Sequence, residues 1–442
     1  MTLSRRAMLT GLPLSVLSIR SIQAAPATAL ARPSGNESYW QGVARQFRVS
    51  PDFVNLENGY FGSMPEPVRL AYHAYADLLN AENSRLLRTQ YRQKADDIAA
   101  RVAGLLGVTK EEIAFTRGGT EALQNLITGY RGLTPGDAVM YADLDFHTGQ
   151  SALRWLAARH GARVERLVIP EPATREAVLD TYAAALETPR LKLLLLSHMN
   201  NITGLVVPVR EIVAMAREKG VDVIVDAAHS WGHLDFTLPD LGADFGVFSL
   251  HKWMGAPLGS GFLYIRKERL NAIDPVFGDE SQKADIRSRV HSGTMDVAPI
   301  LSVGAALDFH ETLGAPVKEA RLRHLRDRWV GQVRDLPIEI LTPDDPSMYG
   351  GMTAFRLSGR TSEADNTAIV DHLYDRHRIF TVRRGGLAKG DCVRVTPALF
   401  TTTADVDRLA AALRELTQGV GRSSRAIRAS AATSWPESAA TW

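Results

Sequence analysis

Residues 226–265 read DAAHSWGHLDFTLPDLGADFGVFSLHKWMGAPLGSGFLYI. Two short apolar runs, FGVFSL at 245–250 and GFLYI at 261–265, stand on either side of Lys252. A lysine at the mouth of a strand that reads as buried is unfavourable, because burial disfavours the ammonium form. The position calls for a chemical reason. The run just upstream, VDVIVDAAHS at 221–230, brings Asp226 to the end of another strand, 26 residues before Lys252. In a parallel sheet both side chains lie at the carboxyl ends of strands, the edge where ligands bind. An aspartate there can hold a protonated ring nitrogen, and a lysine opposite can form a Schiff base with an aldehyde. Together they meet the demands of a pyridoxal phosphate site: a carboxylate that keeps the pyridine cationic as an electron sink, and an amine that carries the aldehyde. By itself an Asp–Lys pair of this kind is also what a surface ion pair looks like.

The neighbouring sequence fits an α/β fold. From 110 to 310 short apolar runs (EIAF, AVMYA, VERLVI, LKLLLLSH and those above) alternate with helical stretches, which predicts crossover units and a mostly parallel sheet. Helical periodicity before them covers 67–106, giving a large domain over 67–310. Residues 311–417 read as a smaller α+β domain: helices near 317–336, 364–378 and 404–416, with IEILTP, GMTAFRLS, IFTVRR and CVRVTP as strands. Residues 32–66 form an irregular segment expected to pack on that small domain. Residues 418–442, rich in Ser, Ala and Arg without periodicity, are expected to be disordered.

The chain has 442 residues, 45% hydrophobic and 23% charged, with a net charge of +2. That balance shows no footprint for nucleic acid or acidic lipid. The single cysteine, Cys392, excludes an intramolecular disulfide framework and a multi-cysteine metal site. Residues 1–31 have a basic start, a short apolar centre and small residues beyond it, the pattern of a cleaved signal peptide. The apolar run of Ala7 to Ile19 falls short of the ~20 residues that span a bilayer, so no stable membrane insertion is expected. Ser4-Arg5-Arg6-Ala7-Met8-Leu9 resembles the twin-arginine export signature, which implies passage through that machinery to the periplasm as a folded protein. An ordinary secretory signal fits the same residues.

A phosphate needs its own seat. FTRGGTEALQNL runs from a strand through Gly118-Gly119-Thr120 into a helix, where backbone N–H groups can face an anion and Thr120 can cap the helix and bond a phosphate oxygen. A plain glycine turn before a helix reads the same way.

Over about 55–416 the chain resembles the class V aminotransferase family of fold type I, whose members include cysteine desulfurases and isopenicillin N epimerases. The block quoted at the outset is similar to the family's Asp-x-x-Gln/His…Ser-x-His-Lys pattern. NLENGYFGSMP at 55–65 resembles the epimerase branch's Leu-Asn-His-Gly-x-Phe-Gly, with Glu57 and Asn58 replacing its Asn-His pair. The resemblance implies a large domain with a seven-stranded-type sheet and pyridoxal 5'-phosphate as cofactor. It makes Lys252 the residue that carries the aldehyde and the catalytic base, and Asp226 the partner of the ring nitrogen. It places His229 and Asn201 (with Asn200 as rival) on the ring hydroxyl, His147 stacked on the ring face, and Gly119, Thr120, Ser249 and His251 on the phosphate. Thr294 would reach the phosphate of a neighbouring subunit, which implies a homodimer with shared sites. Arg394, in CVRVTPALF, would clamp the substrate carboxylate with its planar fork, and Asn58 would touch substrate. Arg383 and Arg384 either line the pocket or form a solvated basic turn.

For the reaction, loss of the proton from an amine-bearing carbon opens transamination, epimerisation and β- or γ-elimination alike. Cysteine desulfurases carry a nucleophilic cysteine on a loop about fifteen residues before the clamp arginine. Here that region is HRIFTVRRGGLAKG, and Cys392 sits inside a strand as a buried thiol. A direct C–S lyase needs no cysteine and stays open. The resemblance extends to exported periplasmic enzymes that tailor the glutamyl group of pyoverdine siderophores, so the expected substrate is an amino-acid group, including one on a peptide natural product. A cofactor-free binding protein that kept the fold is the reading from another class.

Overall fold

The computed structural model describes residues 34–278 and 280–419. The expected signal peptide and all but the first two residues of the expected disordered tail lie outside the described residues. The strands, in chain order, are β1 (Val54–Asn55), β2 (Ile113–Thr116), β3 (Ala138–Ala142), β4 (Arg163–Leu167), β5 (Leu191–Ser197), β6 (Asp222–Asp226), β7 (Phe245–Ser249), β8 (Gly261–Ile265), β9 (Ile338–Ile340), β10 (Thr353–Leu357), β11 (Ile379–Phe380), β12 (Val382–Arg384) and β13 (Cys392–Val395).

Seven of them form one sheet in the order β2-β8-β7-β6-β5-β3-β4. Only β8 is reversed, antiparallel to both β2 and β7, and the rest pair in parallel. The central strands read as unbroken apolar runs because both faces are covered. Alternate residues serve opposite faces. Val139, Leu193, Leu195, Ile224, Phe245 and Val247 pack with Leu123, Leu126 and Leu153 from the helices Gly119–Thr128 and His147–His160. Met140, Leu194, Leu196, Val223 and Val225 face the other way, onto Val178, Tyr182, Ile212 and Val213 from Arg175–Ala185 and Val209–Glu218. Burying a side chain of that size stabilises by about 1.5–3 kcal/mol, so this sandwich holds the strand ends, and what they carry, in fixed places.

The smaller antiparallel sheet runs β12-β13-β10-β9. Its core joins Phe355, Val393 and Val395 to Trp329, Leu373, Leu409 and Leu413 from three helices. The amino-terminal segment is tied to this part: β1 pairs in parallel with β11. It also reaches Trp253 of the large part: Trp40 and Val43 share a core with Trp253, Leu313 and Leu399.

Two expectations change. The helical stretch over 67–106 is two helices, Glu66–Thr89 and Tyr91–Leu106, because Gln90 leaves helical dihedrals at φ −130° and ψ −31°; Glu82 adds a kink. The helix expected over 317–336 runs Ala315–Val333, with Pro316 at its first turn, where proline's fixed φ is favourable. Among the described residues no helix is long and apolar enough to cross a membrane.

Candidate active site

The carboxyl ends of β5, β6 and β7 stand side by side, with Ser197 level with Asp226 and Asp226 level with Val247. Past β7 the chain turns through Leu250 and His251 to Lys252. The lysine Nζ lies 2.8 Å from His229 Nε2. Burial pushes the Lys252 amine down to about 7; Asp226 pulls it up, and Arg394 and Arg384 push it further down. Asp226 is buried, which pushes its carboxyl up, against the pull of Lys252 and of the Ala228 N–H that donates to Oδ1 at 2.9 Å. Burial and then the Lys252 charge hold His229 well below the usual imidazole range, so its ring is neutral.

At the other end of the cavity the helix Gly119–Thr128 presents its N-terminus. Gly118 is its N-cap and no side chain caps it. Thr120, expected to cap, instead lies in the first turn, exposed and facing the cavity. The Gly119 N–H donates to Ser249 Oγ at 3.3 Å. No larger residue fits at 119, since a Cβ there would sit 2.5 Å from that hydroxyl. His251 Nδ1 is 3.4 Å from the Ser260 carbonyl, and burial drops its pKa to about 4, so it too is neutral.

Gly119, Thr120, Asn201, Asp226, His229, Ser249, His251 and Lys252 all line one cavity of about 570 Å³. A larger hollow of about 680 Å³, lined by Arg48, Asp52, Arg378 and Arg408 among others, carries none of these groups. The two rival asparagines have different surroundings. Asn200 is spent on structure, its Oδ1 accepting from the N–H groups of Ile202 at 2.7 Å and Thr203 at 3.0 Å, whereas Asn201 faces the cavity. His147 opens its helix exposed at the margin, beside Phe146, which does line the cavity. Thr294 is exposed and borders a separate small hollow of about 50 Å³ with Arg117 and Glu121; it does not line its own chain's cavity.

These groups fit pyridoxal phosphate. The Nδ1 of His229 is buried with no hydrogen-bond partner, an atom that normally has one. Asp226 is a buried carboxylate whose Oδ1 takes one backbone donor, and a cationic ring nitrogen beside it would offset its desolvation. An uncapped helix N-terminus with two neighbouring hydroxyls suits a phosphate.

The substrate wall needs two corrections. Arg394 does not present an open fork. It is fully buried, and its Nη2 donates to both carboxylate oxygens of Glu57, at 2.6 and 2.7 Å, while Nη1 donates to the Asn201 carbonyl. Asn58, expected to touch substrate, is buried and committed: its Nδ2 donates to the carbonyls of Asn55 and Thr396, both at 3.0 Å, and its Oδ1 accepts from Asn55 Nδ2 at 3.1 Å. A short amide beside a strand end satisfies backbone groups more readily than it reaches into a pocket.

Three residues at or beside the site were not found from sequence. Glu57 closes the arginine fork. Tyr60 lies between two cations, Lys252 Nζ and the Arg384 guanidinium each 5.6 Å from its ring centre. Gly62 crosses the lysine loop so closely that a Cβ would meet the Lys252 carbonyl at 2.3 Å. Arg384, which the sequence offered either to the pocket or to a solvated basic turn, is partly buried against Tyr60. For Glu57, the replacement of Asn-His by Glu57-Asn58 was the signal in the sequence that pointed here.

Residues 63–409 match the family described as Aminotransferase class-V. The chain belongs to that family. It is 30% identical over 403 residues to the isopenicillin N epimerase of Streptomyces clavuligerus, covering 86% of this chain and 98% of that one. It is also 30% identical over 404 residues to a cysteine desulfurase of Yersinia pestis, covering 86% and 97%. Among solved structures it is similar to the Escherichia coli cysteine desulfurase CsdA, with a TM-score of 0.74 at 24% identity over 86% of this chain and 98% of that chain. A complex of the cystine C–S lyase C-DES with cysteine persulfide aligns with a TM-score of 0.71 at 23% identity, over 85% and 98%. The fold of the class V enzymes is therefore that of this chain, and the chain is a pyridoxal phosphate-dependent enzyme of that class.

Proposed function

We propose that this class V enzyme acts at the amine-bearing carbon of an amino-acid group, in a transamination or epimerisation type of reaction. Lys252 and Asp226 facing one cavity from adjacent strand ends is the observation that carries the reading. Bound pyridoxal phosphate supplies an aldehyde that captures an amine and a ring that takes up the electron pair left on carbon. The chain's own residues do the rest. The first-turn N–H groups of Gly119 and Thr120, with Ser249, hold the phosphate. Asp226 would hold a positive charge at the ring nitrogen, and His229 and Asn201 would serve the ring's oxygen. Lys252, whose amine burial brings down to about 7, would carry the aldehyde and would hold at Nζ the proton lost from the substrate carbon. Tyr60 and Gly62 pack against the lysine loop. In this reading the enzyme is a homodimer, and Thr294 serves the partner's phosphate site.

The same proposal covers the substrate and the location. Residues 1–31 direct a folded, cofactor-loaded protein to the periplasm by twin-arginine export. The substrate is an amino-acid group carried on a peptide natural product, such as the glutamyl group of a siderophore. Persulfide relay has no residue to run on: Cys392, the chain's one cysteine, is buried, and burial pushes its thiol up to about 12. The test is borohydride reduction of the cofactor-loaded protein followed by peptide mapping. Label on Lys252, lost in Lys252→Ala, is expected; label fixed on another lysine refutes the assignment.

A further inference from the structure

The Glu57–Arg394 pair is built into the fold. Glu57 is held on both sides: Leu56 N–H donates to the Phe380 carbonyl at 2.9 Å, the Glu57 N–H to Asn55 Oδ1 at 2.9 Å, and Asn58 N–H to Thr396 Oγ1 at 3.0 Å. Gly59 then passes so close that a Cβ would meet Thr396 Cγ2 at 2.9 Å and the Arg394 guanidinium carbon at 3.4 Å. The carboxylate therefore sits where a bidentate anion on Arg394 would sit, with Thr396 Oγ1 3.3 Å away. A second carboxylate arriving there meets a like charge at close range, an arrangement that interfaces use to reject wrong partners.

Arg384 is the contrasting group. It stacks over Tyr60, as Lys252 does. Its one ion pair among the described residues is Glu57 at 3.7 Å, too long for a hydrogen bond, and its Nε is buried without a partner. Arginines 394 and 384 share Glu57, so this corner keeps one uncompensated positive charge, on the arginine whose fork is open.

Building on the proposed function, we infer that Glu57 stands in permanently for the substrate's α-carboxylate, and that the enzyme takes an amine whose neighbouring carboxyl is tied up in an amide, with a more distant carboxylate received by Arg384. The amino end of a peptide that begins with an acidic residue has this chemistry.

Three ligands test it on the holoenzyme: L-isoglutamine (α-amide, side-chain carboxylate), L-glutamate (both carboxylates) and L-alaninamide (α-amide, no second anion). The readout is the concentration that half-saturates the change in cofactor absorbance. Wild type is expected to bind L-isoglutamine about 10-fold or more tightly than either of the others. Glu57→Ala opens the Arg394 fork and should tighten L-glutamate about 10-fold or more. Glu57→Gln, which keeps the shape and a bond to Arg394, should move the same way by less and covers the case in which the alanine variant does not fold. Arg384→Gln should erase the advantage of L-isoglutamine over L-alaninamide. A wild-type preference for L-glutamate, or an Arg384→Gln protein that keeps the advantage, overturns the inference while borohydride label on Lys252 leaves the proposed function standing. Loss of that label overturns both.

Discussion

The Lys252 amine offers a quantitative test of the site. An ordinary lysine has a pKa of 10.5, so at pH 7.5 about one side chain in a thousand is neutral. With burial pushing Lys252 down to about 7, roughly three quarters are neutral at that pH, about an 800-fold gain in nucleophile. The sign is fixed: below the midpoint the amine holds its proton and cannot attack an aldehyde, and above it capture levels off. Apoprotein is mixed with pyridoxal phosphate across about pH 5 to 10, quenched with borohydride at short times, and the label on the Lys252 peptide is counted. After correction for the reagent's own titration, the capture rate should rise with a midpoint near about 7. Asp226 is the group that pulls this amine up, so in Asp226→Asn the midpoint should move to lower pH. A midpoint above about 9, or an upward shift in the asparagine variant, would refute the claim that desolvation governs this amine.

Two further outcomes concern packing around the site. Lys318 is buried, its Nζ donating to the Trp253 carbonyl at 3.0 Å and lying 3.0 Å from His310 Nδ1, and burial lowers it to about 7. Because its folded pKa is depressed, the unfolded chain binds the extra proton between pH 7 and 10.5, and wild-type stability gains over that window. Urea unfolding of Lys318→Met against wild type should therefore shift in the variant's favour by about 3–4 kcal/mol as pH falls from about 10 to 7; no pH dependence in the difference would exclude the shift. Gly62→Ala must push a Cβ against the Lys252 and His251 carbonyls, so a loss of about 1–3 kcal/mol in stability and weaker cofactor binding are expected, by calorimetry and equilibrium dialysis. Gly331→Ala, on a helix face with nothing within 4 Å, is the control and should stabilise by about 0.5–1 kcal/mol.

Much of the large sheet was legible because its strands are continuous apolar runs: the runs at 138–142 and 261–265 are β3 and β8 to the residue. Asp226 and Lys252 could be found because strand ends in such sheets have a known address. The break at Gln90 could not, since apolar spacing continues across it and only a dihedral changes. IFTVRR read as one strand, yet Thr381 divides β11 from β12, which go to different sheets. The substrate wall was hidden for a stronger reason. Whether Arg394 is an open fork or a closed one depends on Glu57, and no local pattern reports a contact between residues 337 positions apart.

The pairing of β1 with β11 has a consequence for the order in which the protein is made. Val54 leaves the ribosome early and waits for Ile379, 325 residues later, before it has a neighbour to bond. The corner that holds Glu57 against Arg394 likewise cannot close before residue 394 has been made. On the reading proposed above, any preference among amines at that corner waits for the same residue, whereas Asp226 and Lys252 are already in the chain.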